Sequence, residues 1–73
     1  MKRSFYHYVM TLRGPNTKIT ETKLANEIGN DIQFPKQSSD YHEISSYLEI
    51  EGHYVENMDD FDVLWEKYTE NNR

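Results

Sequence analysis

His42 and Glu43 stand side by side in the segment "DYHEISSYLE" (residues 40–49), followed by Ser45 and Ser46 and flanked by Tyr41 and Tyr47. A histidine next to a glutamate raises the chemistry of metal-assisted hydrolysis. A zincin helix carries H-E-x-x-H, so that two imidazoles one turn apart hold zinc while the glutamate takes a proton from the bound water. Here the position of the second histidine is Ser46, and only His7 and His53 remain as distant ligands, so no metal site is expected. Nucleophilic chemistry fares no better. His42 and Ser46 are four apart and can touch on a helix, but Asp40 is two residues from His42 and points elsewhere. Nothing in the segment would orient the imidazole, and no G-x-S-x-G elbow exists to expose a serine.

The acidic run "ENMDDFD" (residues 56–62) suggests calcium only at first sight. An EF-hand loop alternates oxygen ligands, with glycine at its sixth position and glutamate at its twelfth. Counting from Asp60, the alternation fails at Leu64 and Trp65 stands in the glycine place. Helix capping accounts for Asp59, Asp60 and Asp62 without an ion. The three glycines, at 14, 29 and 52, are isolated, so there is no phosphate-cradling loop. Cysteine is absent, which removes thiolate catalysis and disulfides and suits a reducing cytoplasm. No catalytic, cofactor-binding or metal-ligating residue is assigned, and the chain is read as a non-enzyme that needs no cofactor.

The elements around these residues are helical. A first apolar stripe, Phe5, Tyr8, Val9 and Leu12, has the i, i+3, i+4, i+7 spacing of one helix face, with Ser4 as its cap and "RGP" (13–15) as its stop. A second runs through Leu24, Ala25 and Ile28 and extends to Ile32. Thr17 or Thr20 is its expected cap, and Phe34 before Pro35 marks its limit. A third is Tyr41, Ile44 and Leu48. Ser39 or Asp40 caps it, Glu43 is placed to reach back to the cap N–H, and Gly52 ends it. The fourth is Phe61, Leu64, Trp65 and Tyr68, with Asp59 as cap and Met58 and Val63 at the spacing of a hydrophobic staple. The spacing thus predicts helices near 4–13, 18–31, 39–51 and 59–70, with a short turn near 53–57. The fold class is all-α: one domain over residues 1–73, a small bundle of four to five short helices. Its expected aromatic core is Phe5, Tyr8, Tyr41, Phe61, Trp65 and Tyr68.

A chain of 73 residues buries only about 60–65% of its unfolded surface, so its stability should fall near the low end of ~5–15 kcal/mol. No segment has the ~20 apolar residues that span a membrane, and "MKRSFYHYVMTLRGP" is read as a mature helix and not as a leader. The net charge of −5 is unevenly spread. Residues 1–36 carry six Lys/Arg and three Asp/Glu, a net +3, and residues 37–73 carry two and ten, a net −8. Overall acidity speaks against general nucleic-acid binding. The basic half, with Lys2, Arg3, Arg13, Lys18 and Lys23, keeps that function as the alternative.

What remains is surface. Tyr6 and Met10 lie about 100° from the first core stripe, and Tyr47 and Ile50 lie off the third. These four either widen the core or form an apolar patch, and they are the candidate partner-binding residues.

The stretches "SFYHY", "FPKQSSDYHEISSYLE" and "FDVLWEKY" together resemble the YozE-like family of short uncharacterised bacterial proteins, over about residues 2–70. The resemblance implies a SAM-like fold (sterile alpha motif, not the methyl donor), in agreement with the helices read above. It carries over no activity and no site residue. Other sterile alpha motif domains mostly mediate protein–protein contact and a few bind RNA, which is an analogy of fold only. The resulting expectation is a cytoplasmic interaction module or regulator whose partner is another protein or a second copy of itself.

Overall fold

A computed structural model of the chain describes residues 3–71, which form four α-helices: α1 (Phe5–Met10), α2 (Thr20–Gly29), α3 (Tyr41–Glu51) and α4 (Met58–Asn71). The described residues contain no strand. No helix among them is long and apolar enough to cross a membrane.

Two of the expected caps are in place. Ser4 Oγ accepts from the His7 amide at 3.1 Å, and the Asp40 carboxylate accepts from the His42 amide at 3.0 Å. Each satisfies an amide that the first helical turn leaves without a partner. The Asp40 amide is met by Ser38 Oγ at 3.1 Å, and not by the expected Glu43. α1 is shorter than the predicted 4–13. After Met10 the chain tightens into i→i+3 bonds, Thr11 N to Tyr8 O at 3.0 Å and Leu12 N to Val9 O at 2.9 Å. The Thr11 hydroxyl takes the same Tyr8 carbonyl at 2.6 Å, competing with continuation of the α-helix.

The other caps need correction. α2 starts at Thr20, and its N-cap position is Ile19, which has no side-chain acceptor. Thr17 lies in the preceding turn, and Asn16 Oδ1 accepts from Lys18 N outside the helix. For α4 the capping oxygen belongs to Asn57, which accepts from Asp59 N at 2.9 Å, so Asp59 lies inside the first turn. Met58 is then already helical and Val63 is 47% exposed, which removes the proposed staple. α2 ends at Gly29, and Ile32 is 85% exposed, not part of the core stripe. The cause is a turn in which Asp31 O accepts from Phe34 N and Asp31 Oδ1 from Gln33 N, taking the chain away from the helix axis.

Phe5 is the centre of the core. It is fully buried and meets Trp65 at 5.2 Å, Phe61 and Tyr68 at 5.5 Å and Phe34 at 6.5 Å between ring centroids. Val9, Ala25, Ile28, Ile44 and Leu64 are fully buried around it. Tyr68 places its hydroxyl on the Arg3 carbonyl at 2.6 Å, so its burial leaves no phenol unsatisfied. Phe34, read from sequence only as a residue before proline, is 3% exposed and plugs the core beside α1. Two rings expected in the core lie at its margin. Tyr41 is 36% exposed and stacks on Phe61 at 5.5 Å, while its hydroxyl reaches the Asp62 carboxylate at 2.8 Å. Trp65 is partly buried, with Phe5 and Tyr41 against it.

The backbone of α1 runs close to α2 and α4, and α2 also approaches α4. α3 joins mainly through side chains, Ile44 and Leu48 in the core and Tyr41 on Phe61. Gly52, the C-cap of α3, is buried. A Cβ there would come within 2.6 Å of the Leu48 carbonyl oxygen. Close approach, and not a left-handed backbone, is what requires glycine here: its φ is −88°.

Candidate interaction site

His42 and Ser46, the pair that opened the question of catalysis, are both exposed on α3. No three His, Asp or Glu side chains among the described residues converge as ligands for one ion. The polar groups that do converge lie elsewhere, at the seam between the α2–α3 loop, α3 and the turn after it.

Asp31 is the hub of that seam. Its Oδ2 accepts from the Tyr47 hydroxyl at 2.6 Å and from the Tyr54 hydroxyl at 2.8 Å, and its Oδ1 accepts from the Gln33 amide at 3.1 Å. Tyr47 projects from α3, where its ring also meets Phe34 edge-on at 5.6 Å. Tyr54 sits in the turn closed by Val55 N on Gly52 O at 2.8 Å. One carboxylate therefore ties three segments that are distant in sequence.

The electrostatics follow from these bonds. Partial burial pushes the Asp31 carboxyl up, but the bonds from Tyr47, Tyr54 and the Gln33 amide, with His53 nearby, outweigh it and hold the group below the usual aspartate value. Burial first, and then the bond to Asp31, push Tyr47 up to about 12, and the same two causes raise Tyr54 further. At neutral pH the carboxylate stays ionised and both phenols keep their protons. General acid–base catalysis works best with groups that exchange protons near the operating pH, and these are tuned the other way. The arrangement acts as a latch.

Beside the latch lies an open groove of about 370 Å³, lined by Asp31, Ile32, Tyr47, Glu51, His53 and Tyr54 together with Glu27, Asn30 and Gln33. A smaller cavity of about 120 Å³ lies between α2, the 54–56 segment and the start of α4.

The four residues singled out from the sequence divide. Tyr6, Met10 and Tyr47 are partly buried against the core, and Ile50 is 78% exposed. Tyr6 packs on Phe34 at 5.7 Å, and the Lys36 Nζ lies over the Tyr6 ring, 5.7 Å from its centroid. Ile50 stands next to Glu51 and three residues after Tyr47, both of which line the groove. Sequence reasoning missed Asp31, Ile32 and Tyr54. Asp31 accepts from residues 16 and 23 positions away, and no local pattern announces such a pairing.

Several basic side chains have local engagements. Arg3 lies over Tyr8 at 5.2 Å, Lys23 is 3.8 Å from Glu56, and Lys67 on α4 bonds Glu21 on α2. Arg13 rests against Gly29, and Lys18 is exposed in the turn before α2. Lys2 lies outside the described residues.

Comparison with known proteins agrees with the fold. The family model described as the YozE SAM-like fold matches residues 4–70. A protein of Enterococcus faecalis named "UPF0346 protein" is 66% identical over 73 residues, covering 100% of both chains. The "UPF0346 protein YozE" of Bacillus subtilis is 47% identical over 66 residues, covering 90% of this chain and 89% of its own. Neither name states an activity.

Proposed function

The chain belongs to the family of the YozE SAM-like fold, and from that premise we propose that it is a non-enzymatic module that binds another protein through the surface around Asp31, Ile32 and Ile50. The observation that carries this reading is the exposure of two large aliphatic side chains, Ile32 at 85% in the lining of the groove and Ile50 at 78% on α3, one residue before the lining residue Glu51. Their burial against a partner would contribute about 1.5–3 kcal/mol each, whereas in water they contribute nothing to the fold. Asp31, Tyr47 and Tyr54 are already committed to one another, which favours a fixed docking surface over a reacting centre. The reading includes a cytoplasmic location, in keeping with a small domain that holds together without disulfides.

The test is affinity capture with the intact chain and with an Ile32→Asp/Ile50→Asp variant whose fold is verified by circular dichroism. A defined protein retained by the wild type and lost from the variant is the expected result. Capture unaffected by the variant would refute the site. Retention of nuclease-sensitive RNA or DNA, lost on changing Arg13, Lys18 and Lys23 to Glu, would move the assignment to nucleic-acid binding.

A further inference from the structure

The groove beside Asp31 and the smaller cavity share two lining residues, Glu27 and Tyr54, so the two hollows adjoin at these side chains, and together they are called the trough. Its apolar lining comes from Leu24, Ile32, Tyr54 and Val55. Its charge is one-sided. Glu27, Asp31, Glu51, Glu56 and Asp60 supply five carboxylates along it, against one lysine, Lys23, which is already 3.8 Å from Glu56, and the imidazole of His53.

We propose that this trough binds a basic peptide segment of a partner protein, one in which lysine or arginine alternates with apolar residues. The proposal rests on the module reading above and names the chemistry of its partner. An apolar lining alone would accept any hydrophobic segment. The carboxylates select against acidic segments, because like charges brought together on docking are strongly unfavourable. An extended segment sends successive side chains to opposite sides, so it can set apolar groups on Tyr54 and Val55 while its cations face Glu27 and Glu51. A second copy of the chain is a poorer fit. Of its described cations other than the exposed Lys18, Arg3 lies over Tyr8, Lys36 over Tyr6, Arg13 against Gly29, Lys67 on Glu21 and Lys23 already in the trough.

The test is an NMR titration of the isotope-labelled chain with three short synthetic peptides of equal length: lysine alternating with leucine, glutamate alternating with leucine, and lysine alternating with serine. The lysine–leucine peptide should shift amides confined to residues 23–33 and 51–60, and the other two should bind at least ~10-fold more weakly. Glu27→Gln together with Glu51→Gln, both exposed helical positions, should weaken the lysine–leucine peptide by a similar factor. Three results would overturn the proposal. One is no localised shift. Another is binding of the lysine–serine peptide as tight as that of the lysine–leucine peptide, which means diffuse charge attraction. The third is movement of the same amides when the protein alone is concentrated, which makes a second copy the occupant. If the peptide fails while capture still depends on Ile32 and Ile50, only the partner chemistry falls. If both fail, the module reading falls with it.

Discussion

Around Phe5, four aromatic rings gather at 5.2 to 6.5 Å from its centroid. Around Asp31, two phenol hydroxyls converge on one carboxylate oxygen at 2.6 and 2.8 Å beside an open groove. The first region is apolar and largely buried, and apart from the loop residue Phe34 it is built from residues repeating at helical spacing on α1 and α4. The second is polar, half-exposed and built from single residues of a loop, a helix and a turn. Apolar burial supplies most of the stability of a small domain, and it tolerates no cavity. A polar latch contributes less, because its bonds replace bonds to water, but it fixes the relative position of segments that hydrophobic packing would leave loose. The contrast places the fold in one region and the candidate binding surface in the other.

The largest effect should come from breaking the core. Phe5→Ala removes a fully buried ring and should cost about 3–5 kcal/mol, comparable to the whole stability of a domain this size. The variant should lose the cooperative thermal transition seen by circular dichroism, and a wild-type melting curve would contradict the role given to Phe5. Next comes Gly52→Ala, which forces a Cβ toward the Leu48 carbonyl at the junction of the two regions. A loss of about 2 kcal/mol in urea unfolding is expected, and a neutral result would mean that the end of α3 yields without strain.

Asp31→Ala should cost about 1–2 kcal/mol, since it leaves the Tyr47 and Tyr54 hydroxyls without their acceptor. The pH dependence sharpens this. Asp31 has a folded-state pKa below its ordinary 3.8, so its contribution is present above that value and lost as pH falls through the folded one. Tyr47 is raised from 10.0 to about 12, so its contribution is present below 10.0 and lost as pH rises toward 12. The stability difference between wild type and Asp31→Ala should therefore be flat from about pH 5 to 9 and shrink on both sides. A difference that changes across neutral pH would implicate another group. The smallest effect is expected at His42, exposed and outside both regions. Alanine there should change the urea midpoint by less than ~1 kcal/mol equivalent, with or without added zinc.

The same division explains what the sequence disclosed. The stripes of α1 and α4, and the caps Ser4 and Asp40, are visible because helix faces and first turns obey short, fixed spacings. Ile32 continues the stripe from Ile28 at i+4 and so carries a helical spacing, but that spacing shows no sign of the Asp31 turn that halts α2 at Gly29. Phe34 was passed over because its burial depends on where a loop crosses α1, not on periodicity. Tyr41 and Trp65 have core spacing, yet they close the edge of the bundle. A ring with one polar atom can cover the core and still reach a partner, as Tyr41 does with Asp62. The latch was illegible because Asp31, Tyr47 and Tyr54 belong to no repeat. Of the three, only Tyr47 stands out by position, off the core line of α3.

The central claim is that the Asp31 face is a locally held surface on an independently stable core. Native-state hydrogen exchange on Asp31→Ala tests it most directly. The account predicts that residues 31–34 and 47–55 speed up by clearly more than the protected amides of α1 and α4, which should gain only the factor of about 5–30 set by the global loss of about 1–2 kcal/mol. Acceleration of the latch residues by no more than that of α1 and α4 would contradict it, because the latch would then be part of the cooperative core.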